Sequence, residues 1–195
     1  MSNAIQHIRN GDALVIRFTA PEARNPLSRL VLEEISRCLD AVDGVNKVIF
    51  TGVDGVFASG ADLREIANVT PEQAGGFAQR GQSLMSQIAD LEQTTIAAVN
   101  GYCFGGALDL ALACDRRIAS PNATFAHPGA GLGIITGWGG TQRLPRLVGT
   151  ANALEMFFTA APIDARRALA IKLVDEIVDD PLEAALAVDS DSLKS

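Results

Sequence analysis

Residues 95–114 read TIAAV, then NGYCFGG, then ALDLALAC. An apolar run of strand character enters a glycine-rich turn, and the turn opens directly into an apolar helix. Gly105 and Gly106 stand where that helix begins, so their N–H groups are among the donors that a helix start leaves without intrahelical partners. A strand, a glycine turn and bare amides build a site for an anion, or for an oxygen that acquires negative charge. The same residues also suit plain tight packing of helix on strand, which asks only for small side chains.

A second stretch lifts the first of these readings. Residues 52–66, GVDGVFASGADLREI, again follow a strand-like run (KVIFT) and again open into a short helix. Two such turns can aim one amide each at a single carbonyl oxygen. Residues 129–140, GAGLGIITGWGG, are glycine-rich too, but a dinucleotide-binding spacing would need glycine where Ile134 stands.

The rest of the chain frames these turns. Ile5 to Ile8 and Ala13 to Phe18 flank Asn10-Gly11, a hairpin signal. Asn25-Pro26 predicts a helix with proline in its first position, continued by Leu27, Leu30, Val31, Ile35, Cys38, Leu39 and Val42 at helical spacing up to Gly44. Thr70-Pro71-Glu72-Gln73 is a capping-box start for a long helix to about Leu91, and Asp164 can cap a helix over 165–171. Strands are expected at 117–119, 124–126 and 174–178, and helices at 141–148 and 152–158. Strand and helix alternate throughout, which predicts an α/β architecture.

Composition bounds the partners. The chain has 195 residues, 48% of them apolar, with no second composition regime, so one domain around one core is expected. A net charge of −7 argues against nucleic acid and against an anionic membrane. Nowhere do 18 uninterrupted apolar residues occur, and no basic segment followed by an apolar run opens the chain, so a soluble cytoplasmic protein is expected. Three cysteines in apolar surroundings read as reduced core thiols, and the two histidines show no metal-ligand spacing.

Three collinear blocks, FASGADLREI at 57–66, AAVNGYCFGGALDLALACD at 97–115 and GGTQRLPRLVG at 139–149, together resemble the enoyl-CoA hydratase/isomerase (crotonase) family over nearly the whole chain. The resemblance implies a crotonase-type, ClpP-like spiral of repeated ββα units. It assigns 1–180 to the acyl-CoA-binding core and 181–195 to a short C-terminal tail in place of the family's terminal helices, in a homotrimer or hexamer. No permanently bound cofactor is implied, since coenzyme A arrives as part of the thioester substrate. Ala61 and Gly106 match the family's oxyanion-hole amides. Arg24, Ala58, Ala61, Asp62, Leu63, Arg64, Gly105 and Gly106 match its coenzyme A contacts.

The acid/base positions depart from the family. Where its hydratases hold one water between two glutamates, this chain has Asp109 and Gly129. Asp109 is one methylene shorter, and Gly129 offers no side chain. Hydration through two carboxylates is therefore not available, whereas a lone Asp109 suits double-bond isomerisation, in which one group shuttles one proton. His127 is a second acid/base candidate, Thr136 a candidate for positioning a water, and the gap at Gly129 a candidate seat for an anion or a substrate carboxylate. Hydration or isomerisation of an enoyl-CoA is thus the expected activity. The alternatives are a non-catalytic acyl-CoA binder and a decarboxylase or C–C bond enzyme of the same fold. A serine hydrolase of the Clp type is a further rival, but Ser59 lacks the spacing of a nucleophile elbow.

Overall fold

A computed structural model describes residues 4–189. Strands β1 (Ile5–Asn10) and β2 (Ala13–Phe18) form the expected hairpin, paired from Ile5 with Phe18 to Asn10 with Ala13. The two-residue turn is Gly11-Asp12, one position later than the sequence signal. Gly11 takes φ 59 at its first central position, where a turn of this hand wants glycine.

The helix expected from Pro26 begins later. Pro26 and Leu27 form a short strand, β3 (Pro26–Leu27), and Ser28 caps α1 (Arg29–Leu39), its hydroxyl accepting from the Val31 N–H at 3.4 Å. The cause is tertiary. Asn25, at φ 49, accepts from the Ala20 N–H at 2.7 Å and donates to the Val56 and Phe57 carbonyls at 2.9 and 3.0 Å, which pins the chain alongside the first glycine turn. Local preference for a proline-led helix yields to that anchor.

Three rounds of strand, short strand and helix follow. The first is β4 (Lys47–Thr51), β5 (Val56–Ala58) and β6 (Gly60–Ala61), then α2 (Leu63–Ile66) and α3 (Pro71–Ala89). In α3 the capping box forms as expected, with the Thr70 N–H donating to Gln73 Oε1 at 3.1 Å. The second is β7 (Thr94–Val99), β8 (Tyr102–Phe104) and α4 (Gly106–Ala113). The third is β9 (Arg116–Ala119), β10 (Thr124–Ala126) and a 3-10 turn over Pro128–Leu132, leading to α5 (Gly140–Val148) and α6 (Thr150–Thr159). The chain closes with β11 (Ile163–Asp164), α7 (Ala165–Ala170), β12 (Glu176–Ile177) and α8 (Pro181–Ala187). Asp164 caps α7 as expected, accepting from the Arg167 N–H at 2.7 Å.

The long strands make one sheet in the order β1-β2-β4-β7-β9-β12, parallel from β2 onward. The short strands make a second, β11-β10-β8-β5, and β3 pairs with β6 in a third. Alternation along the long strands divides their side chains between two faces. Leu14, Ile16, Val48, Phe50, Ala97 and Val99 meet α1, α3 and α4 on one side, whereas Val15, Ile49, Ile96 and Ala98 meet α8 on the other. Strands covered on both faces need no polar side, and β4 and β7 are buried along their whole length. Among the described residues no helix is long and apolar enough to cross a membrane.

Residues 181–187, expected as the start of a tail, therefore complete the core as a helix; residues 190–195 lie outside the described chain. Buried Lys47 locks α8 in place by donating to the Leu186 and Val188 carbonyls at 2.7 and 2.8 Å. Its ammonium faces the negative end of the helix. A Lys47→Met change keeps the packing and removes both donors. We expect it to cost about 1–3 kcal/mol in urea denaturation; an unchanged midpoint would mean that the lysine does not hold α8.

Candidate active site

The two glycine turns meet. Gly60 sits at φ 89, and a Cβ there would lie 2.6 Å from the Gly106 nitrogen and 2.6 Å from the Phe104 carbonyl oxygen. Only glycine lets β6 rest against the start of α4. From the other side, a Cβ on Gly106 would lie 3.3 Å from the Ala61 nitrogen. The Ala61 and Gly106 amides are thus close neighbours, and Gly106, as the first residue of α4, has no intrahelical acceptor for its N–H. Gly105 fixes the turn in a backbone conformation open to glycine, φ 55 and ψ −123, while its own N–H donates to the Ala126 carbonyl at 2.9 Å.

Both amides border a cavity of ≈ 410 Å³. Its walls are mostly apolar, with Leu63, Ile66, Phe77, Ile135 and Trp138 among them, and its lining carries two ionisable side chains, Asp109 and His127. Trp138 is a wall residue that its own sequence context does not mark. Its ring fills the space that a Cβ on Gly106 or on Gly81 of α3 would enter, and it lies 5.9 Å from the Phe77 ring. A glycine inside a helix, as at Gly81, was the available signal that a large side chain presses there.

Every residue of α4 from Ala107 to Ala113 is buried, so the one polar member, Asp109, is carried into the interior with 1% of its side chain exposed. Burial pushes its carboxyl up to about 7 from the usual 3.8. The Thr136 hydroxyl, which donates to Oδ2, pulls in the opposite direction. So do Arg143 and the Trp138 and Gly140 amides, although Oδ1 itself has no hydrogen-bond partner in the protein. His127 Nε2 lies 3.6 Å from Oδ1, both ring nitrogens are without partners, and the ring packs 5.1 Å from Phe157. Burial lowers the imidazole to about 4, which leaves it neutral near pH 7.

Ala61, Leu63, Gly105, Gly106, Asp109 and His127 therefore share one cavity, and Thr136 joins them. Four expected site residues lie outside its lining. Ala58 is fully buried in β5. Asp62 caps α2 and clamps Arg64 through hydrogen bonds of 3.1 and 2.9 Å, which hold its carboxyl below the usual range, while the Arg64 side chain is 81% exposed. Arg24, at φ 60, rests 5.5 Å over the Tyr102 ring.

The gap expected at Gly129 is closed. A Cβ there would lie 2.5 Å from the Ile134 carbonyl oxygen, and the Ile134 N–H donates back to the Gly129 carbonyl at 2.9 Å. The 3-10 turn has folded over the position where a glutamate would stand, so it seats neither a side chain nor an anion without being rebuilt.

The chain has counterparts among known proteins. The family model described as enoyl-CoA hydratase/isomerase matches residues 9–187. The chain is 42% identical over 168 residues, 84% of its length, to crotonyl-CoA hydratase of Syntrophomonas wolfei. It is 39% identical over 175 residues, 88% of its length, to short-chain-enoyl-CoA hydratase of Clostridium acetobutylicum. It spans 65% and 67% of these two relatives. The crystal structure of enoyl-CoA hydratase from Bacillus anthracis superposes with a TM-score of 0.91 at 33% identity, covering 98% of this chain and 76% of that one. The fold is the crotonase fold, and the chain belongs to the enoyl-CoA hydratase/isomerase family.

Proposed function

We propose that this chain acts on enoyl thioesters of coenzyme A through an enolate, with the Ala61 and Gly106 amides holding the thioester oxygen and Asp109 storing the proton in transit. The observation that carries the reading is a single buried carboxyl, raised to about 7, on the same cavity as two neighbouring backbone amides. An enolate places its negative charge on oxygen, and two preorganised donors in a water-poor site stabilise it by several kcal/mol. A group that titrates near neutrality both takes and returns a proton.

One carboxyl moving one proton suits isomerisation of a 3-enoyl thioester to the conjugated 2-enoyl thioester. Hydration is the second reading, favoured by the names of the relatives, which are hydratases of crotonyl and short-chain enoyl thioesters. The apolar walls fit an uncharged acyl group. The exposed Arg64 guanidinium, held by Asp62, and the Arg24 guanidinium over Tyr102 are the cations that this reading assigns to the coenzyme A phosphates. The Ala58, Asp62, Leu63 and Gly105 contacts, the cytoplasmic setting and the trimeric or hexameric assembly accompany the reading as what the family resemblance implies.

Incubation with a 3-enoyl-CoA and, separately, with crotonyl-CoA tests it. Formation of the conjugated thioester from the first is the expected result. Hydration of the second without isomerisation of the first would move the assignment to the hydratase reading, and turnover of neither would refute both.

A further inference from the structure

We propose that Thr136 is the catalytic group that meets the substrate, its hydroxyl passing the proton between the thioester carbon and Asp109. This rests on the enolate reading above and adds a residue to it. Asp109 lines the cavity with only 1% of its side chain exposed, its Oδ2 accepting from the Thr136 hydroxyl and its Oδ1 buried 3.6 Å from His127 Nε2. Thr136, by contrast, is half-buried in the cavity wall, in the loop that leads to α5. Of the two the threonine is the more exposed, so on this proposal a carbon acid in the cavity reaches the carboxylate through it.

The step balances without a further reactant. As the Cα–H bond breaks, its proton goes to Thr136 Oγ1 while the hydroxyl proton moves to Asp109 Oδ2. The electron pair flows to the thioester oxygen under the two amides. In the return step the Asp109 proton passes through Oγ1 to Cγ, the enolate pair closes the conjugated double bond, and carboxylate and hydroxyl are restored. Hydroxyl and carboxylate act as one unit, so losing either loses the transfer.

A rival role is pure support, in which Thr136 only covers Asp109 or tunes its proton affinity. Three variants separate the two: Thr136→Ser keeps the hydroxyl, Thr136→Val keeps the bulk without it, and Thr136→Ala removes both hydroxyl and cover. The isomerisation of a 3-enoyl-CoA is followed from pH 5 to pH 9, with urea denaturation confirming that each variant is folded. The groups facing Asp109 in that range are Thr136 from the loop, His127 from the end of β10, Arg143 from α5 and the Trp138 and Gly140 amides, and all but Thr136 are unaltered.

A relay predicts that Val and Ala lower kcat by about 10²–10³ at every pH with KM nearly unchanged, and that Ser stays within about tenfold of the parent. Parental or faster turnover in Thr136→Ala would overturn the relay in favour of a cover. A lost rate that returns in full at high pH would overturn it in favour of tuning. If the parent itself turns over no thioester, the enolate reading falls with it; if the parent is active and Thr136→Val matches it, the relay alone falls.

Discussion

An Asp109→Asn variant is expected to lose about 10²–10⁴-fold in thioester turnover, and at the same time to be more stable than the parent at pH 8. The two effects share one cause. Burial carries the Asp109 carboxyl from 3.8 up to about 7, so between those values the folded chain keeps a proton that the unfolded chain has released. Stability therefore falls as pH rises through that window. About three units at about 1.4 kcal/mol each set an upper figure of roughly 4 kcal/mol by pH 8. His127 works the other way: held at about 4 rather than 6.5, it refuses a proton that the unfolded chain accepts, and its contribution grows from pH 4 to 6.5. Both proteins carry His127, so the difference between them isolates Asp109. Asparagine still offers Thr136 an acceptor. Urea denaturation at pH 5 and pH 8 should show the variant's advantage growing by about 2–3 kcal/mol; an advantage independent of pH would mean that the carboxyl titrates normally.

A second large effect is expected from Gly60→Val. Valine at φ 89 is strained by about 1–3 kcal/mol, and its Cβ would press on the Gly106 nitrogen and the Phe104 carbonyl, at a further cost of about 1–3 kcal/mol. Relief comes only by moving β6 away from α4, which separates the Ala61 and Gly106 amides. Losing one oxyanion donor costs about 10²–10³ in rate. The folded variant should therefore fall by at least that factor in kcat, and parental kcat would show that the two amides do not act together. Gly106→Pro is a less specific probe, because a side chain at Gly106 runs into the Trp138 ring as well as deleting an N–H.

How legible the molecule is from its sequence depends on how far apart the deciding residues lie. Features written within a few positions emerge closest to the reading: the hairpin, shifted by one residue to Gly11-Asp12, the Thr70 and Gln73 capping pair, the Asp164 cap, and the close approach of the two glycine turns. Pro26 departs from its local preference because its conformation is set by Asn25 reaching to Val56 and Phe57, some thirty residues on. The same holds within the site. Asp109 was legible as a carboxylate on an apolar helix, but its partner Thr136 is 27 residues away and reaches it through a loop with no periodicity to read. Gly129 looked like a gap because a missing side chain suggests free space; the backbone of Ile134 fills it. Trp138 left only an indirect trace, the glycines it presses against.

The most direct measurement is deuterium uptake at Cα of a 3-enoyl-CoA in D2O, followed by mass spectrometry for the parent, Asp109→Asn and Gly60→Val. Enolate formation at this site predicts that the parent exchanges the α-hydrogens far faster than buffer alone, and that each folded variant is slower by about 10² or more. Exchange in the parent no faster than in buffer, or exchange at the parental rate in both variants, would contradict it.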